Sequence, residues 1–290
     1  MRRCAFLTLD DQSAYVIDDD HAHEPLRALG WQVESVPWRR APETAAGYDV
    51  VVIRSTYDYV TAPEEFIAAL SAIARAGVPL HNSLELVRWN HHKTYLPDLE
   101  ARGVPVVPTL LRRLRADEMP GFLDELGHDE IVIKPLVGAN ASGAYRLDRV
   151  SLPRKSYEVE AFYAGREAMV QPFVPAVVTE GEYSLVYFNG EFSHALLKTP
   201  RAADFRVQEE HGGRILSVTP EPRLRAAADR VMRTLDETPL YARVDLVRAA
   251  ATGDDFWLME LELIEPSLYF RMSAGAAERF ARALHERAAR

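Results

Sequence analysis

The sequence predicts an α/β domain followed by a larger α+β region, and three observations lead to that class. Strand and helix signals alternate through the first 80 residues, as in a small doubly wound sheet. The run Val50-Val51-Val52-Ile53 reads as a central parallel strand, apolar on both faces. Asn189-Gly190, set between two alternating segments, marks a hairpin and opens a last third that reads as antiparallel sheet.

Taken in order, Cys4–Leu9 is expected as a buried strand, with a helix over 24–29 closed by Gly30. A second strand follows at 32–36 and the central one at 49–54. Pro63 opens a helix that Gly77 ends, and 78–81 forms a short strand. In the middle of the chain, 84–102 reads as two helices, with Lys93 early in one of them. An extended segment over 104–109 leads to a helix near 117–126. Strands are expected at 130–136, 144–147 and 168–173, with a helix near 157–163 before the last of them. The hairpin strands are 183–188 and 192–198, and a charged loop spans 199–214. A helix at 221–235, strands at 241–247 and 256–264 and a helix near 276–288 complete the chain. No internal repeat or low-complexity tract interrupts this order.

At 290 residues and 48% hydrophobic content, the chain can bury a large core in two domains or lobes. Its 34 Lys plus Arg against 43 Asp plus Glu give a net charge of −9, which offers no field for a nucleic-acid backbone. The apolar stretch after Arg2-Arg3 is too short for a signal peptide or a membrane span. Cys4 is the single cysteine, so there is no internal disulfide, and a reducing cytoplasm is the expected compartment.

Four clusters carry chemistry. The first is Asn90-His91-His92-Lys93, whose two histidines read as surface residues of a helix. In the second, Lys134 ends the strand Ile131-Val132-Ile133 and a Gly/Ala/Ser loop over 138–143 follows. Small residues let backbone N–H groups approach phosphate oxygens, and the lysine supplies a point charge, although the loop matches neither a Walker A motif nor GxGxxG. The third is Gln171-Pro172-Phe173-Val174 followed by Glu180 and Glu182, which suits an adenine slot with a carboxylate for the ribose hydroxyls. The fourth is Arg243 and Asp245 on one strand with Glu260 and Glu262 on the next. Residues i and i+2 of a strand share a face, so three carboxylates and an arginine can form a Mg²⁺ cage; the alternative is the wet face of an amphipathic strand.

The order and spacing of these clusters resemble the ATP-grasp superfamily in its glutathione synthetase-like form, from about Ser83 to Ser273. Within it the chain looks most like the small ligases related to the O-ureido-serine cyclo-ligase of cycloserine biosynthesis. Ile53 to Tyr59, Leu86 to Asn90 with Lys93, Asp204 to Gln208 before Gly212-Gly213, and Glu260 to Ser267 carry that likeness. The resemblance implies a pre-ATP-grasp domain over 1–82 and an ATP-grasp domain over 83–290, with a lid lobe at about 109–171. It implies ATP and Mg²⁺ as cofactors. Lys93 and Lys134 match the phosphate-binding lysines, Gln171 to Val174 the adenine hinge, Glu180 or Glu182 the ribose-binding acid, and Asp245, Glu260 and Glu262 the metal positions. The last of these is Asn in many relatives of this kind. Arg206 and Arg243 match arginines that stabilise transferred phosphate, and Lys198 can join them.

The implied activity is an ATP-dependent carboxylate–amine ligation through an acyl phosphate. Arg54, Ser55, Thr56 and Asp58, after the central strand, are expected to grip an amino-acid-like substrate: Arg54 its carboxylate, Asp58 its ammonium. The other reading makes Arg54 structural and Asp58 a helix cap. Expected partners are a small-molecule carboxylate and amine, with no nucleic acid and no membrane, and a homodimer is the assembly to test. Three further readings compete: ring closure within one substrate, a non-catalytic ATP-binding regulator, and a ligase that extends a protein's end.

Overall fold

The computed structural model describes all residues except 140, 203, 251, 252, 254 and 290. Asn140, part of the small-residue loop singled out above, therefore lies outside the described residues.

The front of the chain runs β1 (Arg2–Thr8), α1 (His23–Ala28), β2 (Trp31–Pro37), α2 (Ala41–Thr44), β3 (Val50–Ser55), α3 (Pro63–Arg75) and β4 (Leu80–His81). The strands form a parallel sheet in the order β2-β1-β3-β4. All six residues of β3 are buried, as a strand covered on both faces requires. On one face Leu7, Ile53 and Val51 pack against Phe66 and Leu70 of α3. On the other, Phe6 and Val52 meet Phe280, on a helix from the far end of the chain.

The middle continues with α4 (Leu84–Asn90), α5 (Tyr95–Ala101), β5 (Leu110–Arg113), α6 (Met119–Leu126), β6 (Glu130–Pro135), β7 (Tyr145–Asp148), α7 (Leu152–Tyr163) and β8 (Glu167–Pro172). Its antiparallel sheet has the order β5-β8-β6-β7, with a core of its own around Ile131, Ile133, Val170 and Phe122. Ser83 caps α4 by accepting from the Leu86 N–H at 3.1 Å. Two expectations shift here. Lys93 lies in the turn before α5 rather than inside a helix, its N–H donating to Leu136 O at 2.9 Å. The 104–109 segment makes only a bridge, Val106 to Leu258, and the strand comes afterwards as β5.

The last part comprises α8 (Ala176–Thr179), β9 (Glu182–Phe188), β10 (Glu191–Thr199), β11 (Arg214–Val218), α9 (Pro222–Arg233), β12 (Tyr241–Arg248), β13 (Phe256–Glu262) and α10 (Ala276–Arg287). Its sheet is antiparallel in the order β11-β10-β9-β12-β13. Asn189 (φ 48°) and Gly190 (φ 79°) turn the β9–β10 hairpin with both residues at positive φ, the conformation an Asn-Gly pair favours. β11 was not expected; its five residues hold a single buried side chain, Ile215, and give too weak an alternation to read.

The edge strand β13 is secured by side chains rather than by another strand. Asn90 donates to Leu261 O (2.9 Å) and accepts from Leu263 N–H (3.0 Å), while Tyr95 Oη accepts from Leu261 N–H (3.0 Å). Asn82 donates to Leu263 O (2.7 Å) and Tyr241 O (2.9 Å). These buried amides satisfy backbone groups that would otherwise be orphaned, and they lock α4 and α5 to the strand that carries the acids.

Candidate active site

Period-2 alternation puts Lys198 of β10, Glu182 and Ser184 of β9, Arg243 and Asp245 of β12, and Glu260 and Glu262 of β13 on one face of the sheet. Val244, Leu246, Leu258 and Leu261 go into the core behind it. Register opposes Arg243 to Glu262 and Asp245 to Glu260. The middle sheet forms the facing wall, with Val132 and Lys134 from β6 and Gln171 from β8. A single cleft holds these groups together with Lys93, Phe173, Val174 and Arg206.

Within the cleft, nearly every acid has its own cation. Lys93 pairs with Glu260. Lys198 Nζ lies 2.5 Å from Glu182 and 3.3 Å from Asp245. Arg243 joins Asp245 (3.0 Å) to Glu262, and Ser184 donates to Asp245 at 2.5 Å. Burial alone would raise the Asp245 carboxyl, but Arg243 and Lys198 hold it below the usual range. Burial pushes Glu262 up to about 7, with Glu260 and Asp245 adding to the push that Arg243 opposes. Lys134 forms no ion pair with a described residue, and burial followed by Lys93 lowers its pKa. Among the described residues it is the lysine of the cleft that has no acidic partner.

The observed arrangement of these acids therefore differs from the metal cage expected from the sequence. Among the described residues no three acids, histidines or cysteines converge as a metal site. Arg243 bridges Asp245 and Glu262 while Lys93 holds Glu260, so the three carboxylates stand as ion pairs. Their chemistry fits Mg²⁺ all the same: hard oxygen donors, paired in register across one ladder and open to the cleft.

The residues expected to form the adenine hinge line an apolar slot. Phe173, Val174, Val132, Val177 and Met259 line it together, and the Arg146 guanidinium lies 3.6 Å over the Phe173 ring. Of the two ribose candidates, only Glu182 faces the cleft. Glu180 is turned to Arg248 (2.9 Å) and the Tyr183 hydroxyl (2.7 Å). Arg206 reaches the cleft from the 199–214 loop, braced by Asp204 at 2.9 Å.

The expected substrate grip is not where it was sought. Arg54 is 1% exposed, paired with Asp19 at 2.8 Å and bonded to Pro266 O at 3.0 Å. Ser55 and Thr56 are buried beside it. Asp58 accepts from Trp38 Nε1 at 2.7 Å and pairs with Arg39. None of the four lines the cleft. The strand end instead presents Tyr57 and Tyr59, and the segment after β13 presents Glu265, which burial and then Glu262 push up to about 8. These three had no assigned role. The available signal was an aromatic pair flanking Asp58 and a third acid three residues past the end of the Glu260–Glu262 alternation.

Comparison with known proteins gives a consistent picture. Residues 4–82 match the family described as D-cycloserine synthetase DcsG, N-terminal domain, and residues 104–252 match prokaryotic glutathione synthetase, ATP-grasp domain. The chain is 30% identical over 279 residues to the cycloserine biosynthesis protein DcsG of Streptomyces lavendulae, covering 91% of each. The crystal structure of D-cycloserine synthetase DcsG superposes with a TM-score of 0.87 over 99% of both chains, at 30% identity. The ATP-grasp ligase PsnB, complexed with minimal precursor, Mg and ADP, superposes with a TM-score of 0.66 over 99% of this chain and 98% of that one; at 17% identity this shows the fold alone.

Proposed function

The chain belongs to the ATP-grasp ligases, and we propose that within the family it activates the carboxylate of a small amino-acid-like substrate as an acyl phosphate and closes an amide upon it. As a member it is a carbon–nitrogen bond-forming ligase that uses ATP and Mg²⁺. The observation that carries the finer reading is the cleft itself, where Lys134 stands unpaired opposite a face of clamped carboxylates.

Amide formation from a free carboxylate is uphill in water. The substrate carboxylate attacks the γ-phosphorus of ATP, giving an acyl phosphate and ADP. The amine then adds to the acyl carbon, and phosphate leaves. The protein's part is alignment and charge compensation. Lys93 and Lys134 hold phosphate oxygens, Gln171, Phe173 and Val174 receive the adenine, and Glu182 takes the ribose hydroxyls. Asp245, Glu260 and Glu262 would hold Mg²⁺, which neutralises phosphate charge when bound. Arg243, Lys198 and Arg206 face the transferred phosphoryl group and the oxyanion that follows. The acyl phosphate must be kept from water, a role suited to the 109–171 lobe as lid with the Arg206 loop beneath it. This reading divides the chain into a substrate-side domain over 1–82 and an ATP-grasp domain over 83–290.

Ring closure within one substrate is favoured over joining two by the match to a cycloserine biosynthesis protein across 91% of both chains. ADP and phosphate release is to be measured with Mg-ATP and single amino acids, then with pairs. Release driven by one O-substituted serine alone supports ring closure. Release that requires a second amine overturns it in favour of intermolecular ligation.

A further inference from the structure

Glu265 stands apart from the other acids of the cleft. Glu260, Glu262, Glu182 and Asp245 each touch a lysine or arginine, whereas Glu265 makes no hydrogen bond or ion pair with a described residue. It is half-buried at the cleft wall, so the missing partner is not bulk water alone. A carboxylate held there without a cation is costly, and burial with Glu262 nearby accordingly favours its neutral form.

Its backbone has no freedom to carry it elsewhere. The carbonyls of Leu263, Ile264, Pro266 and Ser267 accept hydrogen bonds from Asn82, Tyr241 (2.8 Å), Arg54 (3.0 Å) and Arg243 (3.3 Å) respectively. Leu263, Ile264 and Leu268 are buried in three different cores. Four side chains, from β3, β12 and the segment after β4, thus fix the stretch in which Glu265 is the one ionisable residue, lining the cleft. Arg54, found above to be structural, is one of the four.

The surroundings define what the carboxylate can receive. Tyr57 and Tyr59 line the same cleft as Glu265, and Tyr15 packs on Tyr57 with ring centroids 4.9 Å apart. Burial, Glu262 and Glu260 push its carboxyl up, and Lys93 and Arg243 oppose that push. Tyrosine side chains in the same cleft as an unpaired carboxylate suit a small organic cation better than a second anion. The nucleotide is anionic, and its unpaired counterpart, Lys134, lies on the opposite wall.

We propose that Glu265 is the specificity-determining residue of this cleft, pairing with the ammonium group of the amino-acid substrate in the cleft that Tyr57 and Tyr59 also line. This rests on the ligase reading above and adds to it the residue that chooses the substrate. No covalent step is assigned to Glu265.

The test measures ADP release with Mg-ATP against free serine, alanine and O-substituted serines of both configurations, and against the N-acetyl form of each. Wild-type protein is expected to respond to a free amino form and not to its N-acetyl derivative. In Glu265→Gln the KM for the responding amino acid should rise about 10- to 100-fold, as loss of a charge-assisted contact does. Its kcat should change little, and calorimetric affinity for Mg-ATP should stay within about twofold. Glu265→Asp, which keeps the charge, should recover part of the loss; it carries the same comparison if the Gln variant does not fold. An unchanged KM in Glu265→Gln overturns the assignment while leaving the ligase reading intact. A fall in kcat at constant KM also overturns it, by moving Glu265 to the transfer step. A wild-type protein that releases ADP with no amino compound at all overturns both.

Discussion

At the end of β3 the chain reads Arg54-Ser55-Thr56-Tyr57-Asp58, and on β12 and β13 it reads Arg243-Val244-Asp245 and Glu260-Leu261-Glu262. Both are polar clusters at strand positions that can face a ligand. In the first, the charges are spent inside the protein: Arg54 on Asp19 and Pro266 O, Asp58 on Trp38 and Arg39. In the second, the partners are other cleft residues, so every ion pair stays on the open face. A strand-end charge is functional or structural according to where its counter-ion sits. The counter-ions of the first cluster come from Asp19, 35 residues earlier, and from Arg39, on a different loop.

The comparison is sharpened most by Arg54→Ala. It strands the buried Asp19 and frees the Pro266 carbonyl, so folding stability should fall by about 3–5 kcal/mol, read from urea unfolding. Arg54→Lys should restore little, because one ammonium cannot reproduce a guanidinium that serves two acceptors. A stable Arg54→Ala protein with a raised substrate KM would return Arg54 to the pocket and erase the distinction between the two clusters.

Glu260→Gln probes the other side. ADP formation should drop by about 10²- to 10³-fold, roughly 3–4 kcal/mol of transition-state stabilisation. The melting temperature should move only slightly, since the side chain is about one-third exposed (34%) and opposes a cleft rather than a core. Unfolding in place of inactivation would make β13 a structural copy of β3. The smallest effect is expected from Lys134→Ala. Mg-ATP affinity by calorimetry should weaken by about 10- to 100-fold, corresponding to 1.5–3 kcal/mol. Stability should not fall, because burial disfavours the charge that is being removed. Unaltered nucleotide affinity would leave the facing wall without its assigned role.

Much of the fold was legible in the sequence because its signals are local. The Val50–Ile53 run, the Asn189-Gly190 turn and the i, i+2 pairs of β12 and β13 each state their geometry within a few residues. The charged ladder and the lysine after the Ile131–Ile133 run follow from the same alternation. What could not be read depends on distant partners. Arg54 is structural because of Asp19 and Pro266, and Glu180 is turned away by Arg248. Glu265 is distinguished only by lacking what its neighbours have, and pairing is invisible before the chain is folded. Lys93, expected early in a helix, lies in a turn because its N–H donates to Leu136 O, a partner distant in sequence.

The register of β12 against β13 has a consequence for how this chain can vary in length. Arg243, Asp245, Glu260 and Glu262 share a face only because both strands keep strict alternation on either side of one irregularity, between Asp245 and Leu246. Deleting or inserting a single residue between 243 and 245, or between 260 and 262, would exchange the cleft and core faces beyond that point. Ionic side chains would enter the cluster that now holds Val244 and Leu261, and apolar ones would meet the ligand. Length changes in the connection from β12 to β13 leave both alternations intact. Related chains should therefore differ freely at that turn and hardly at all in the spacing of these four residues, a pattern of tolerated indels set by pleating rather than by chemistry.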